Sequence, residues 1–380
     1  MALTGFVIIM TETLPAGLLP EVSSGLAVSE GAAGQLVSAY ALGTVLAAIP
    51  AIAATRSSSR KPLLVLGIAG FVVANAVTAL SGVYSLTLVA RFVAGAFSGL
   101  LWGMIPGYTR RIVAAERAGT GLAVAMAGTP VALSIGTPLG TFAGALIGWR
   151  WTFAAMSVLA VALVVWVLIG VPNAPGQPSG NRTSLLRVLL IPGVAPVLAV
   201  VLGWMLAHNI LYTYIAPFLT FTGVSGRVDV VLLLFGLCAL AGIWFTGTLV
   251  DRALRRLVLV SLTGFGLVAL GLGVAGGAPV VFYLAVLVWG LTFGGASTQL
   301  NTAVADAAGD ETDIAAAMVT TAWNLAIFGG SALGAVLLEA DDPGSFPWAL
   351  LVLITASLLV AILARRHAFA PGPRSGDSAT

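Results

Sequence analysis

Twelve apolar runs separated by short polar breaks fill almost the whole chain, at 2–20, 31–54, 62–80, 84–108, 120–147, 151–171, 192–218, 229–250, 257–275, 278–304, 314–338 and 347–364. A helix needs about 20 apolar residues to cross a bilayer, so the longer runs must tilt or contain interfacial turns. The pattern predicts an all-α polytopic membrane protein with twelve transmembrane helices. The first run has the length of a signal peptide but no basic residue before it, contains Glu12, and leads at once into a second run. It reads as a retained helix.

Composition sharpens this picture. Hydrophobic residues make up 59% of the chain and charged residues 8%, against about 25% charged in a soluble domain. The net charge of +3 does not indicate nucleic acid, because the basic residues sit in small clusters at the ends of apolar runs, where they set topology. With the N-terminus in the cytoplasm, fourteen of the 17 basic residues fall in cytoplasmic breaks; only Arg150 and Arg227 fall in the opposite ones, and Arg91 lies within the fourth run. A missed or invented span would destroy that asymmetry. The expected location is the inner (plasma) membrane, multi-pass, with both termini cytoplasmic and the lipid bilayer as a partner.

The longest cytoplasmic break, 172–190, contains PNAPGQPSGNR and reads as a flexible linker. It separates a six-helix bundle at 1–171 from another, with a short tail, at 191–380. Shifting the sequence by 196 residues places Arg56 on Arg252, Arg60 on Arg256 and Thr55 on Asp251, each after the second span of its half. Such repeats are common in secondary transporters.

Individual residues then raise chemical questions. Glu12, in TETLPAGLLP, lies deeper in an apolar run than any other carboxylate. A charge at the bilayer centre costs about 2.5–3.5 kcal/mol, which makes Glu12 a candidate proton carrier; a shallow, hydrated position is the plainer alternative. Arg91 either faces the protein interior or snorkels to the interface. In the seventh run Trp204, His208 and Tyr212 recur every four residues and share a helix face, with Asn209 beside them. His208 could make a structural hydrogen bond or touch cargo or protons; with no second ligand at suitable spacing, metal binding is not expected. Trp289, Phe293, Gln299 and Asn301 in the tenth run suit packing or a substrate cavity, and Asn324 suits an interhelical hydrogen bond. In the fifth run Gly128, Gly136, Gly140 and Gly144 line one face, with Pro130 and Pro138 able to bend it.

Several motifs in order carry a family resemblance. GTLVDRALRR, from Gly247 to Arg256, resembles the G-x-x-x-D-R-x-x-R-R loop of the major facilitator superfamily; the first-half copy, AIAATRSSSRK, departs from it, with Thr55 in place of Asp. RFVAGAFSG from Arg91, IGTPLGTFAG from Ile135 and GWRWTF from Gly148 resemble motifs of its fourth, fifth and sixth spans. TETLPAGLLP is similar to its sugar-efflux and drug:proton antiporter branch. The resemblance implies two six-helix bundles with spans 1, 4, 7 and 10 around a cavity. It also implies conformational gating by Thr55, Arg56, Arg60, Asp251, Arg252, Arg255 and Arg256, and occlusion by Gly136, Pro138 and Gly140. For the basic turns topology anchoring is the alternative, and for the fifth span simple packing.

The expected function is proton-coupled efflux of a small organic molecule, a drug or a sugar, by a monomer without cofactor. Coupling would fall to Glu12, Arg91 and His208. An importer or facilitator of the same fold is the alternative, and a non-transporting intramembrane enzyme or sensor a further one. No nucleophile elbow, phosphate loop or zinc-protease motif is present, so an enzyme is not expected.

Overall fold

The structure, a computed structural model, describes residues 1–55, 57–114, 117–176, 185–340 and 342–369. Arg56 and residues 177–184 of the expected linker lie outside the described residues. Those described are helical, with no strand among them. Among the described residues ten helices are long and apolar enough to cross a membrane, and Ala2–Gly17 with Leu19–Leu26, bent by 72°, makes an eleventh. Val228–Ala275 counts once in that number yet has 48 residues, about 72 Å if straight, more than twice the hydrocarbon thickness. Non-helical backbone at Ala253 breaks it into spans 8 and 9. The total is the twelve that hydropathy predicts.

Several bends have local causes. Span 1 contains Pro15, breaks at Leu18 and restarts with Pro20 in the first turn. In span 5 a π-helical turn, Ala132–Gly136, lies between Pro130 and Pro138, the kind of bulge that accompanies displaced backbone bonds. Span 10 divides into Pro279–Gly294 and Ala296–Ala308 at its two adjacent glycines.

The chain separates into two compact units. Unit 1 comprises Met1–Asn181 with Thr213–Pro217 and Val228–Leu232; unit 2 comprises Arg182–Tyr212, Phe218–Arg227 and Leu233–Thr380. In unit 1 the glycine face of span 5 receives span 1. A Cβ on Gly136 would meet Met10 and Phe6, one on Gly140 would meet Leu14, and one on Gly144 would meet Leu18. Large side chains at i, i+4 and i+8 thus lie along a glycine stripe, the close approach that small residues permit in membranes. Spans 2 and 4 approach in the same way, since a Cβ on Gly95 would strike the Tyr40 backbone. That contact places the Tyr40 ring beside Arg91.

Arg150, one of the two basic residues that the charge pattern leaves on the minority side, has a structural use. Its guanidinium stacks on Trp149, 4.2 Å from the ring centroid, and donates to the carbonyls of Gly25 and Ser81 at 3.2 and 3.1 Å. It ties together three breaks at one end of unit 1.

Candidate functional site

Pro15 creates the first site. Proline lacks an amide hydrogen, so the carbonyl four residues earlier in the helix loses its partner; here that carbonyl belongs to Thr11. Arg91 of span 4 (Tyr84–Ile112) supplies the missing donor, with Nη2 bonding to the Thr11 carbonyl and, at 3.5 Å, to that of Glu12. Asn75 of span 3 adds a bond to Thr11 Oγ1 at 3.0 Å.

Arg91 is fully buried, at 0% exposure, and reaches inward rather than toward the interface. Its guanidinium carbon lies 5.0 Å from the Tyr40 ring centroid and 5.8 Å from that of Phe153, close enough for cation–π attraction. Tyr40 donates its hydroxyl to the Ile8 carbonyl at 3.2 Å, so the ring that faces the charge is itself tied to span 1. Glu12 is 8% exposed. Arg91 binds backbone oxygens, and among the described residues the Glu12 carboxylate makes no ion pair. The guanidinium also keeps Nε and Nη1 without a hydrogen-bond partner among those residues. A fixed positive charge thus sits beside a carboxylate that it does not clamp.

A second cluster lies in unit 2. His208 stacks on Phe293 with ring centroids 3.6 Å apart and on Tyr212 at 5.3 Å, while Trp289 and Phe235 complete the wall. The predicted helical face of span 7 does bring His208 onto Tyr212. Trp204 is fully buried, and its indole nitrogen has no partner among the described residues. Trp289 Nε1 donates to His208 Nδ1 at 3.1 Å. Indole is only a donor, so Nδ1 must accept and the single ring proton sits on Nε2. Adding a second proton would break that bond. Phe293 and Trp323 are only half-buried, with centroids 6.3 Å apart; they form the accessible edge of the cluster.

The other candidates take different places. Gln299 donates to Ser261 at 3.1 Å and Thr246 at 3.3 Å, joining spans 10, 9 and 8. Asn209 donates to Met205 O within its own helix, and Asn301, which is exposed, does the same to Ser297 O. Asn324 departs from its predicted interhelical role, because its amide nitrogen bonds Thr320 O one turn back. Thr55 likewise bonds Ala51 O. Arg60 is buried, whereas Asp251, Arg252 and Arg256 are exposed. Arg255 donates to the carbonyls of Ala361, Ile362 and Phe369 at 2.9, 3.2 and 3.0 Å. No group of His, Cys, Asp or Glu suited to a metal occurs among the described residues.

Sequence reasoning missed Tyr40, Phe153, Thr11 and Phe235. The first three surround Arg91, and only the Pro15 spacing pointed to any of them, since an orphaned carbonyl at Thr11 follows from the proline alone.

The sequence pattern of the Major Facilitator Superfamily matches residues 1–331. The chain belongs to the Major Facilitator Superfamily. Similar proteins include the purine ribonucleoside efflux pump NepI of Shigella sonnei (strain Ss046), 29% identical over 364 residues that cover 93% of this chain and 90% of the pump. NepI of Escherichia coli (strain K12) is 30% identical over 340 residues, 87% of this chain and 84% of the pump. Among solved structures, the inward open conformation of the xylose transporter XylE from E. coli aligns with a TM-score of 0.76 at 14% identity, over 100% of this chain and 96% of that one. A crystal structure of a D-xylose-proton symporter aligns at 0.76 and 16% identity, over 98% and 96%. As a member of this superfamily with efflux pumps for relatives, the chain is a multi-pass secondary transporter of small molecules.

Proposed function

We propose that this transporter exports purine ribonucleosides, or small molecules with a similar flat ring and polar sugar, in exchange for protons. The observation that carries the coupling is Glu12, a buried carboxylate beside a guanidinium that is anchored to backbone and not to the carboxylate itself. An empty, ionised Glu12 would be costly to occlude, so the carrier returns only when Glu12 has taken a proton. His208 does not carry the proton in this scheme, because its Nδ1 is committed to Trp289.

The cargo class replaces the drug or sugar expected from sequence. Relatives at 29–30% identity are named for purine ribonucleosides, and unit 2 offers half-buried aromatic faces at Phe293 and Trp323. Aromatic stacking on a nucleobase is worth about 1–3 kcal/mol per base. Both termini are assigned to the cytoplasm from the basic-residue asymmetry, the protein works as a monomer, and residues 1–171 and 191–380 are the two halves of the transport cycle, joined by 172–190.

The test is transport of a labelled purine ribonucleoside by protein reconstituted in vesicles with an imposed pH gradient. Wild-type protein should concentrate the nucleoside against its gradient, and Glu12→Gln should permit only downhill exchange. Uphill transport by Glu12→Gln would remove Glu12 as the carrier; a cargo confined to sugars would remove the substrate assignment.

A further inference from the structure

The arginines around the end of span 12 form a cluster to which the proposed function gives no cargo or proton contact. Span 12, Phe346–Leu363, is almost wholly apolar and is followed directly by Arg365 and Arg366. The last carbonyls of any helix lack helical partners, and here Arg255, from the turn between spans 8 and 9, satisfies those of Ala361 and Ile362. It also bonds the Phe369 carbonyl, and Phe369 is fully buried. The segment after the span is therefore folded back, which holds Arg365 and Arg366, both exposed, close to Arg255.

Together these three arginines line a cavity of about 450 Å³ whose other lining residues are Ile362 and Leu363. Among the described residues no carboxylate lines it. Three guanidinium groups lining one cavity repel one another and favour an anion. The helix carbonyls, which would otherwise repel it, are already neutralised by Arg255. Leu363 is 79% exposed and Ile362 42% exposed, at the point where a span meets the headgroup layer. A free phosphate would use the arginines and gain nothing from these aliphatic side chains, whereas a phospholipid uses both. Basic pockets at the ends of transmembrane helices suit lipid headgroups of this kind.

We propose that this pocket binds an anionic phospholipid, with the phosphate on Arg255, Arg365 and Arg366 and an acyl chain along Ile362 and Leu363. The lipid would pin the folded-back segment and so brace the turn between spans 8 and 9 against span 12. This inference is independent of the transported cargo.

Lipid retention by the purified full-length protein, measured by native mass spectrometry after exposure to phosphatidylglycerol or phosphatidylcholine, tests it. Wild-type protein should retain phosphatidylglycerol in preference. Each arginine is expected to contribute roughly fivefold, so the double variant Arg365→Gln/Arg366→Gln should lose most of the preference, while Arg365→Lys/Arg366→Lys should keep much of it. Both positions are exposed and leave the Arg255 bonds in place, so folding should persist, and an unchanged unfolding midpoint in detergent checks this. Leu363→Asn should weaken phosphatidylglycerol retention as well, and millimolar inorganic phosphate should not displace the lipid. Equal retention of the two lipids, an unaffected double variant, an unaffected Leu363→Asn protein, or ready displacement by inorganic phosphate would each overturn the proposal.

Discussion

Around Arg91, unit 1 buries a full charge whose partners are backbone carbonyls and two ring faces; around His208, unit 2 buries a neutral ring whose partners are other rings and one indole N–H. A buried charge demands oriented dipoles, and unit 1 obtains one by placing Pro15 so that a carbonyl is left free. The charge then acts on Glu12. The aromatic cluster has no comparable field, and its imidazole is held in a single tautomer. It presents π faces, which suit an uncharged purine better than they suit a proton. On the proposed function, coupling would fall to the first unit and cargo contact to the second.

Removing the charge breaks the comparison most directly. Arg91→Met should abolish transport, by at least about 100-fold in vesicles. It should also lower the thermal unfolding midpoint, because an unsatisfied buried carbonyl costs about 1–3 kcal/mol. Arg91→Lys keeps the charge but loses the planar fork, and an intermediate loss of about tenfold is expected. Normal transport by Arg91→Met would show that no fixed charge is needed beside Glu12.

The division of labour is sharpened by pH profiles. Glu12→Gln should flatten the dependence of nucleoside exchange on pH, whereas His208→Gln should keep the wild-type profile and weaken cargo affinity about tenfold, the equivalent of about 1.4 kcal/mol. If His208→Gln flattens the profile instead, the Trp289 bond does not prevent its protonation.

Smaller effects follow from packing. Gly140→Val should force Leu14 aside and cost about 1–3 kcal/mol of stability, read as a lower unfolding midpoint in detergent, because a Cβ there already meets the Leu14 side chain. Phe293→Ala should weaken nucleoside binding up to about tenfold through lost stacking, with coupling intact. Least of all, Asn324→Ala should shift stability by no more than about 0.5 kcal/mol, since its amide bonds a carbonyl of its own helix. A large loss at Asn324 would mean that it serves a second helix after all.

Much of this architecture can be read before any coordinates are seen. Hydropathy and the basic-residue count specify twelve spans because each span must satisfy the bilayer by itself, whatever its neighbours. The break at Ala253 was legible for the same reason, since DRALRR could not remain inside an apolar core. Glu12 and Arg91 stood out because a charge in an apolar run is costly wherever it ends up, and the glycine spacing of span 5 announced a face for close packing.

Partner choice was decided only by the tertiary structure. Nothing along the chain says that the guanidinium of Arg91 serves the carbonyl freed by Pro15, 80 residues earlier, or that Tyr40 and Phe153 close over it. The same holds for Trp289, whose single hydrogen selects the tautomer of His208, for Arg255, which caps span 12 instead of merely marking a turn, and for Asn324, which turns back on its own helix. Hydropathy and spacing are local properties written into one segment at a time. A hydrogen bond between segments depends on how closely two helices approach and at what rotation, and those are set by the packing of every glycine and side chain between them.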